Sequence, residues 1–570
     1  MFKKQPIGLY ILSLANTGER FGYYTMLAVF LLFLQAKFGF DATVSGQIYA
    51  IFLAMVYFMP LIGGYVADRW SFSKCVVTGI FVMFIGYAVM AIPTPIGETT
   101  SLMILLLALA LIAIGTGLFK GNLQVMVGDL YNHPMYKDQR DSGFSLFYMA
   151  INIGSMAAPF VATAMVNVVL HGAGFEYVSE LPKLCNQFIS DGINGNEIAS
   201  IAAANGMTVG ADVEQFAKDY LTRLSNGYSL GFAVACVSLV VSYLIYTFGK
   251  PTFSHIIKDK KDASKGASSS AQAPVAEMSA AQTKQRVVAL LLVFAVVIFF
   301  WMVFHQNGAT LTEFAKSCTR PSADGFTRIG FNVGALFTIA AAIWTIFIFF
   351  QSKSTRGKLI SGFVFLLAAG GIALFYIFTP GTVEGIQPQQ YQQFNPFYVV
   401  ALTPVSLALF GWLARKKKEP SAPRKIGYGM IMAGIAYAVM VFGSIGLVGT
   451  EGAASPNWLI STYLLLTFAE LLLSPMGISF VSKVAPPKLK GSMMGGWFAA
   501  TAIGNYLVSI PMLLWGKIPV MWVWIILIII CLLSATFIFS VMKKLEAATS
   551  DEPTPVAKEN ELETVEADAI

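Results

Sequence analysis

The chain alternates long apolar stretches with short polar segments along almost its whole length. A helix needs roughly 20 mostly apolar residues to cross a bilayer, and about fourteen stretches meet that length. We expect spans near 8–36, 44–66, 74–93, 101–126, 143–167, 228–249, 287–305, 329–351, 359–379, 395–414, 426–446, 457–482, 492–514 and 520–542. The pattern therefore predicts an all-α polytopic membrane protein.

The order of spans and polar segments predicts two halves. A segment rich in Lys, Ser and Ala follows the sixth span and is typical of a solvated joint. Six spans on each side of such a joint are typical of transporters whose two bundles rock about a central site. The predicted divisions are a first bundle (1–250) with an outer-face insert (168–227), a cytoplasmic linker (251–286), a second bundle (287–544) with an extra helix pair (329–379), and a disordered cytoplasmic tail (545–570).

Composition agrees with lipid as the solvent. Of the 570 residues, 56% are hydrophobic and 12% charged, which excludes a soluble globular protein. The net charge of +7 is small, and most basic residues of the chain lie in short segments between spans. Both features argue against a nucleic-acid partner. Most of these residues fall on one side, and the positive-inside rule then puts both termini in the cytoplasm, with the protein in the cell (inner) membrane.

Cysteine spacing gives no metal site, and we expect neither metal nor cofactor. Cys185 and Cys318 both fall in segments assigned to the outer face. Because disulfides persist on that side, we expect these two residues to pair.

Four charged residues lie deep within spans: Glu19, Arg20, Lys120 and Glu470. A charge at mid-bilayer costs roughly 2.5 to 3.5 kcal/mol, so each must face a partner or a wet cavity. Structural ion pairs between helices are one interpretation. Because the residues lie on spans far apart in sequence, a central cavity is the favoured one.

The first span carries a polar stripe. Residues spaced by three, four, seven and eight positions share one helical face, and here they are Asn16, Glu19, Arg20, Tyr23 and Tyr24. Such a stripe must face protein or water. For the two tyrosines alone, an interfacial aromatic belt is an alternative, although they lie too deep in the span to favour it.

The string NTGERFGYY resembles the E-x-x-E-R-F-x-Y-Y signature of the proton-dependent oligopeptide transporter family, a branch of the major facilitator superfamily. GGYVADR, GTGLFKGN, FYMAINIGS and AELLLSPMGIS are similar to further family segments and occur in the family's order. The resemblance implies the major facilitator fold, with two six-helix bundles and here two extra transmembrane helices. It also implies import of di- and tripeptides by proton symport.

The resemblance assigns roles to individual residues. Arg20 and Lys120 would bind the peptide carboxylate, and Glu470 would bind the peptide amino terminus. An Arg offers a planar two-donor fork and a Lys a point charge, as such a pocket requires. The positions that would bind peptide amides or shape the cavity are Tyr23, Tyr24, Tyr57, Asn152, Asn395 and Trp497.

Three positions depart from the family pattern. Asn16 replaces the first Glu of the signature, Leu27 replaces a frequent basic residue, and His305 replaces a seventh-span carboxylate that pairs with the fourth-span Lys. We therefore expect Glu19 to pair with Lys120, and Glu19, His305 and Glu470 to be the proton-coupling residues. A lone His in a span is equally consistent with a hydrogen-bonded packing residue.

The segment GGYVADRWSFSK follows the second span. Gly63 and Gly64 permit close helix approach, while Asp68 and Arg69 could bridge helix ends as a gate. An ordinary charged turn is the alternative, and the resemblance favours the gate.

Transport is the function that these patterns favour. GYSLG matches G-x-S-x-G formally but opens a span, so it lacks the context of a nucleophile and predicts no enzyme. No repeated filter segment indicates a channel. The expected partners are small peptides, protons and the lipid bilayer, with a monomer as the functional unit. The alternative is a family relative that carries nitrate or a modified amino acid, or that has altered proton coupling.

Overall fold

The computed structural model describes residues 5–131, 135–136, 140–210, 212–254, 279–447, 453–486 and 489–548. Its first helices are α1 (Ile7–Phe38), α2 (Ala42–Arg69), α3 (Phe72–Ala91), α4 (Thr99–Leu130), α5 (Arg140–Gly172), α6 (Leu181–Asp191), α7 (Gly195–Ala204) and α8 (Val213–Gly249). After residue 278 follow α9 (Ala280–Phe304), α10 (Thr310–Ser317), α11 (Val333–Gln351), α12 (Thr355–Phe378), α13 (Phe394–Arg415), α14 (Ala422–Gly443), α15 (Pro456–Val484), α16 (Lys490–Leu507), α17 (Ser509–Leu514), α18 (Val520–Ser540) and α19 (Met542–Ala547). Two short strands, β1 (Ala323–Asp324) and β2 (Thr382–Val383), pair antiparallel.

Within the described ranges, 14 helical segments are long and apolar enough to cross a membrane. This confirms the predicted all-α membrane fold with about fourteen spans. We call the end of the bundle that carries α6 and α7 the insert face. The opposite end, where the described chain stops at residue 254 and resumes at 279, is the linker face.

Local sequence signals set the helix ends. The Asp41 side chain accepts a hydrogen bond from the Val44 backbone N–H at 2.8 Å and caps the start of α2. Gly39, with a φ of 65°, ends α1 in the left-handed conformation that glycine adopts without strain. Ser279 and Gln282 form a capping box at the start of α9.

Each half of the molecule has its own apolar core. One core is formed mainly by α1 to α8, and the second mainly by α9 to α11, α13 to α16, α18 and α19. In the second core the rings of Tyr437 and Trp524 stack with centroids 5.8 Å apart. The halves meet mainly where α2 packs on α16 and α17, and α5 on α13.

The extra helix pair expected at 329–379 consists of α11 and α12. Trp344 of α11 donates its indole N–H to the Val400 carbonyl of α13 at 2.9 Å, which attaches the pair to the second half. Large apolar side chains of α12, such as Phe363 and Leu366, are exposed, as they would be against lipid.

The region expected as the insert, 168–227, is mostly helical. Helix α5 reaches Gly172, and the amphipathic stretch VEQFAKDYLTRL is the start of α8, which continues as the sixth span. Asp212 caps this helix by accepting hydrogen bonds from the backbone N–H groups of Glu214 and Gln215. The sixth span is therefore part of a helix that extends beyond the bilayer.

The chain termini and the linker are only partly described. Residues 255–278 of the predicted linker and residues 549–570 of the predicted tail lie outside the described residues. The first tail residues belong to α19, where Arg424 donates to the Glu546 carboxylate at 2.7 Å. This hydrogen bond lowers the pKa of Glu546.

The expected disulfide between Cys185 and Cys318 is wrong, because neither of these two cysteines forms a disulfide bond. Cys185 of α6 is buried in the first core, and Cys318, directly after α10, is buried in the second. Burial raises the pKa of the Cys185 thiol to about 12, which keeps it in the unreactive protonated form. Placement on the same face does not bring residues of different cores together.

Candidate transport site

Glu19 and Arg20 form a buried ion pair on α1. The Arg20 Nε and Nη2 atoms donate to the two carboxylate oxygens of Glu19, each at 2.5 Å. The guanidinium also lies over the ring of Tyr23, 4.7 Å from its centroid. A bidentate pair of this kind satisfies both charges without water.

Lys120 of α4 lies over an aromatic ring. Its Nζ atom is 3.9 Å from the ring centroid of Tyr57 on α2, which is a cation–π contact. Among the described residues, no carboxylate lies within ion-pair distance of this ammonium. The expected Glu19–Lys120 pair is therefore wrong in this conformation: Glu19 binds its sequence neighbour Arg20, whose fork engages both carboxylate oxygens.

His305 lies at a break between α9 and α10. The 3₁₀ turn His305–Gly308 interrupts the span, and the imidazole Nδ1 is 2.6 Å from the Asn505 side-chain oxygen on α16. The ring stacks on Trp301, with centroids 5.0 Å apart, and lies 6.0 Å from the ring of Tyr57. Lys120, Tyr57 and His305 thus follow one another across the interface between the halves.

Glu470 is the middle residue of α15 and is buried, with 7% of its surface exposed. The Tyr148 hydroxyl, on α5 in the other half, donates to Glu470 Oε1 at 3.0 Å. Asn395 of α13 donates to Glu470 Oε2 at 3.1 Å and to the Thr467 hydroxyl at 2.9 Å. These donors orient a carboxylate that has no cation in contact within the described residues.

Two tyrosines lie between the charged groups. The hydroxyls of Tyr24 and Tyr57 are close enough to Arg20 and to Glu470 to be influenced by both charges. The site therefore has a positive pole on the first half and a negative pole on the second, with phenol groups between them. A short zwitterion has the complementary arrangement of charges.

Two further residues predicted for the site are Asn152 and Trp497. Asn152 donates to the Tyr148 carbonyl at 3.0 Å, one helical turn earlier on α5. Trp497 is buried, with its ring 6.4 Å from that of Phe294 and in contact with Gly477. A side chain at position 477 would displace this indole, so the glycine creates its space.

Arg69 lies at the linker face, outside the site. It is exposed, and its guanidinium is 3.5 Å from the ring centroid of Tyr65, one turn earlier on α2. The side chain of Asp68 lies outside the described residues. The gating role of this pair stays a prediction.

Comparison with known proteins identifies the family. The family model described as the POT family matches residues 73–283 and 374–525, which is more than half of the chain. The chain belongs to the POT family. This is the proton-dependent oligopeptide transporter family that its sequence motifs resemble. Within the curated proteins it is 30% identical over 545 residues to an uncharacterized transporter of Bacillus subtilis, with 91% of this chain and 90% of the relative covered. It is 26% identical to a di-/tripeptide transporter of Lactococcus lactis, with 88% and 87% covered.

Solved structures agree on the fold. The crystal structure of a POT peptide transporter in complex with sulfate has a TM-score of 0.65 and 20% identity, with 96% of each chain covered. This confirms the major facilitator architecture predicted from the POT-like motifs.

Several polar contacts in and near the candidate site are not among the predictions made from the sequence. Tyr148 and Asn505 bind Glu470 and His305, and Gln35 joins α1 to Glu313 of α10. Each is a polar side chain inside or at the end of an apolar helix. That placement was the available signal, since a buried polar group needs a partner.

Proposed function

We propose that the chain is a secondary active transporter that imports di- and tripeptides by proton symport through alternating access. The observation that carries this proposal is the pair of opposite poles across the interface of the two halves, with Glu470 on one side and Arg20 and Lys120 on the other. The naming of a Lactococcus lactis relative as a di-/tripeptide transporter supports it.

Glu470 binds the peptide ammonium. Its carboxylate is already fixed by Tyr148 and Asn395, so an entering ammonium meets an oriented acceptor and little reorganisation is needed. Because Tyr148 and Glu470 belong to opposite halves, the ammonium also enters at a contact that must change when the halves rock.

Lys120 and Arg20 bind the peptide carboxylate. Lys120 lies over the Tyr57 ring with no described carboxylate in contact, so its ammonium can donate directly to the peptide carboxylate, whereas Arg20 is held by Glu19. A proton on Glu19 neutralises that carboxylate and frees the Arg20 fork. Glu19 and Glu470 act as proton-coupling groups, and His305 is a further candidate beside Tyr57.

Neutral groups complete the site. Tyr24, Tyr57, Asn152 and Asn395 offer hydroxyls and amides to the peptide backbone, and Trp497 borders a side-chain pocket. Contacts of this kind do not discriminate strongly between side chains, so the peptide range is broad.

The orientation follows the charges of the connecting segments. Basic residues cluster at the linker face, as in the segments 353–358 and 415–425, which favours this face as cytoplasmic. Both termini then lie in the cytoplasm of a cell whose inner membrane contains the protein as a monomer. Asp68 and Arg69 act at the cytoplasmic gate.

Counterflow of labelled dialanine into proteoliposomes tests the substrate class. The wild-type protein should exchange external labelled dialanine for internal unlabelled dialanine, and Glu470→Gln should lose this exchange because the ammonium loses its charged acceptor. The matched control is Glu384→Gln, which changes an exposed acid near β2. Wild-type-like exchange by Glu470→Gln, or no exchange by the wild type, would contradict the proposal.

A further inference from the structure

The insert face is closed by side chains that bond across the two halves. Gln392, in the 3₁₀ segment Pro388–Gln393, donates to the Ala28 carbonyl of α1 at 3.1 Å. Gln387 bonds to the side chain of Asn167 on α5. These contacts involve neutral amides, so protons do not change their strength.

The exception lies at the end of α1. The Gln35 amide donates its Nε2 to the Glu313 carboxylate of α10, and its Oε1 accepts from Lys316 Nζ at 2.5 Å. A carboxylate and an ammonium of the second half, Glu313 and Lys316, thus bind the two polar atoms of one first-half amide, that of Gln35. We call Gln35, Glu313 and Lys316 the Gln35 clamp.

In the first half, the backbone around Gln35 is held by helix α6. The Asn186 side chain of α6 donates to the carbonyls of Gln35 and Ala36, at 3.3 and 3.1 Å. Helix α6 therefore anchors the end of α1, and a change at Glu313 acts on the contact between the halves.

Two described carboxylates accept hydrogen bonds from the opposite half, Glu470 and Glu313. Glu470 is needed at the negative pole of the site. Glu313 is only 4% exposed and lies on α10, beyond the break at His305–Gly308. It can therefore hold a proton while a substrate occupies both poles.

Few titratable groups face Glu313. Lys316 belongs to its own helix, and Tyr177, in the segment between α5 and α6, is close enough to be influenced by its charge. The partner on α1, Gln35, is neutral. The other titratable side chains on the elements of the second half packed against α10 are His305, Tyr391, Tyr463, Glu470 and Lys483, and α1 carries Lys37 two residues after Gln35.

We propose that Glu313 is a proton-binding site of the transport cycle and that its protonation weakens the Gln35 clamp. The proposal rests on the proton symport proposed above. A hydrogen bond to a carboxylate is about twice as strong as one to a neutral acceptor, so a proton taken from water at the insert face weakens the bond from Gln35. The insert face then opens more readily, and the proton leaves when the cavity faces the other side.

Spin-label distances in the full chain, reconstituted in liposomes without substrate, test the clamp. Labels at Lys183→Cys and Glu384→Cys, two exposed positions at the insert face on different halves, report its opening. We expect the distance distribution to shift to longer values when the pH is lowered from neutral to about 4, the ordinary titration range of a glutamate side chain. Glu313→Gln should strongly reduce this shift, leaving at most the response of the Tyr148–Glu470 contact, and Gln35→Met should give the long distances at both pH values.

The matched control is Glu197→Gln, which removes an exposed acid of α7 on the same face and should keep the wild-type shift. An unchanged pH response in Glu313→Gln, or short distances at both pH values in Gln35→Met, would overturn the proposal. Because this measurement needs no substrate, it remains informative if dialanine is not carried. If dialanine is carried and Glu313→Gln still accumulates it like the wild type, the proton site is refuted and the transport function stands.

Discussion

Lys120 is a cation in the site that no described carboxylate contacts. Its ammonium lies over Tyr57, and the nearby acid Glu19 is occupied by Arg20. Cation–π contact compensates only part of the cost of removing an ammonium from water. An incoming carboxylate therefore gains a charge-assisted hydrogen bond without first breaking an ion pair at Lys120.

Replacing Lys120 by Gln should weaken recognition of the peptide carboxylate. A hydrogen bond to a charged group contributes about 1.5 to 3 kcal/mol, so dialanine should bind about 10- to 150-fold more weakly. Competition against labelled dialanine by dialanine and by its C-terminal amide measures this effect. The wild type should prefer the free carboxylate, and Lys120→Gln should not; an equal preference in both proteins would contradict the assignment.

The sequence predicted which residues bear charge in the site but not how they pair. The four intramembrane charges are recognisable because each is costly in lipid. Their partners depend on side-chain conformation, and the adjacent Glu19 and Arg20 engage each other in preference to Lys120. The roles of Tyr148 and Asn505 could not be predicted, because single polar residues in apolar helices are common and the partners of these two lie on other helices.

Helix packing depends on small residues at particular positions. A side chain on Gly63 of α2 would run into the backbone of Gly117 on α4, and the Gly63 carbonyl accepts a hydrogen bond from Asn122 at 3.2 Å. Gly64, the next residue, has open space where its side chain would be. The sequence predicted close approach for both glycines, because spacing alone does not say which one faces a neighbour.

The two glycines form a matched pair for a stability test. Gly63→Ala should destabilise the protein by about 1 to 3 kcal/mol, the usual cost of overpacking, because backbone atoms of α4 cannot move aside. Gly64→Ala should be neutral or slightly stabilising, since alanine favours helix. Thermal unfolding in detergent compares the two, and equal midpoints would show that α2 and α4 are not packed as described.

For the whole molecule, the hydropathy pattern was sufficient to predict the number of spans and the two halves, because lipid imposes length and polarity on every span. It did not show that α8 extends beyond its span or that the two cores keep Cys185 and Cys318 apart. Those features depend on tertiary packing. The described hydrogen bonds between the halves join Tyr148 to Glu470 and cluster near the insert face, where Ala28, Gln35, Thr43 and Asn167 provide the contacts of the first half.

Hydrogen bonds between the two halves can couple protons to uptake only if proton binding and peptide binding favour the same movement of one half relative to the other. The measurement that tests this most directly is accumulation of labelled dialanine in proteoliposomes with and without an inward proton gradient. We expect the gradient to raise internal dialanine above the external concentration and a protonophore to abolish the excess. If internal dialanine only reaches the external concentration, both with and without the gradient, proton symport is contradicted.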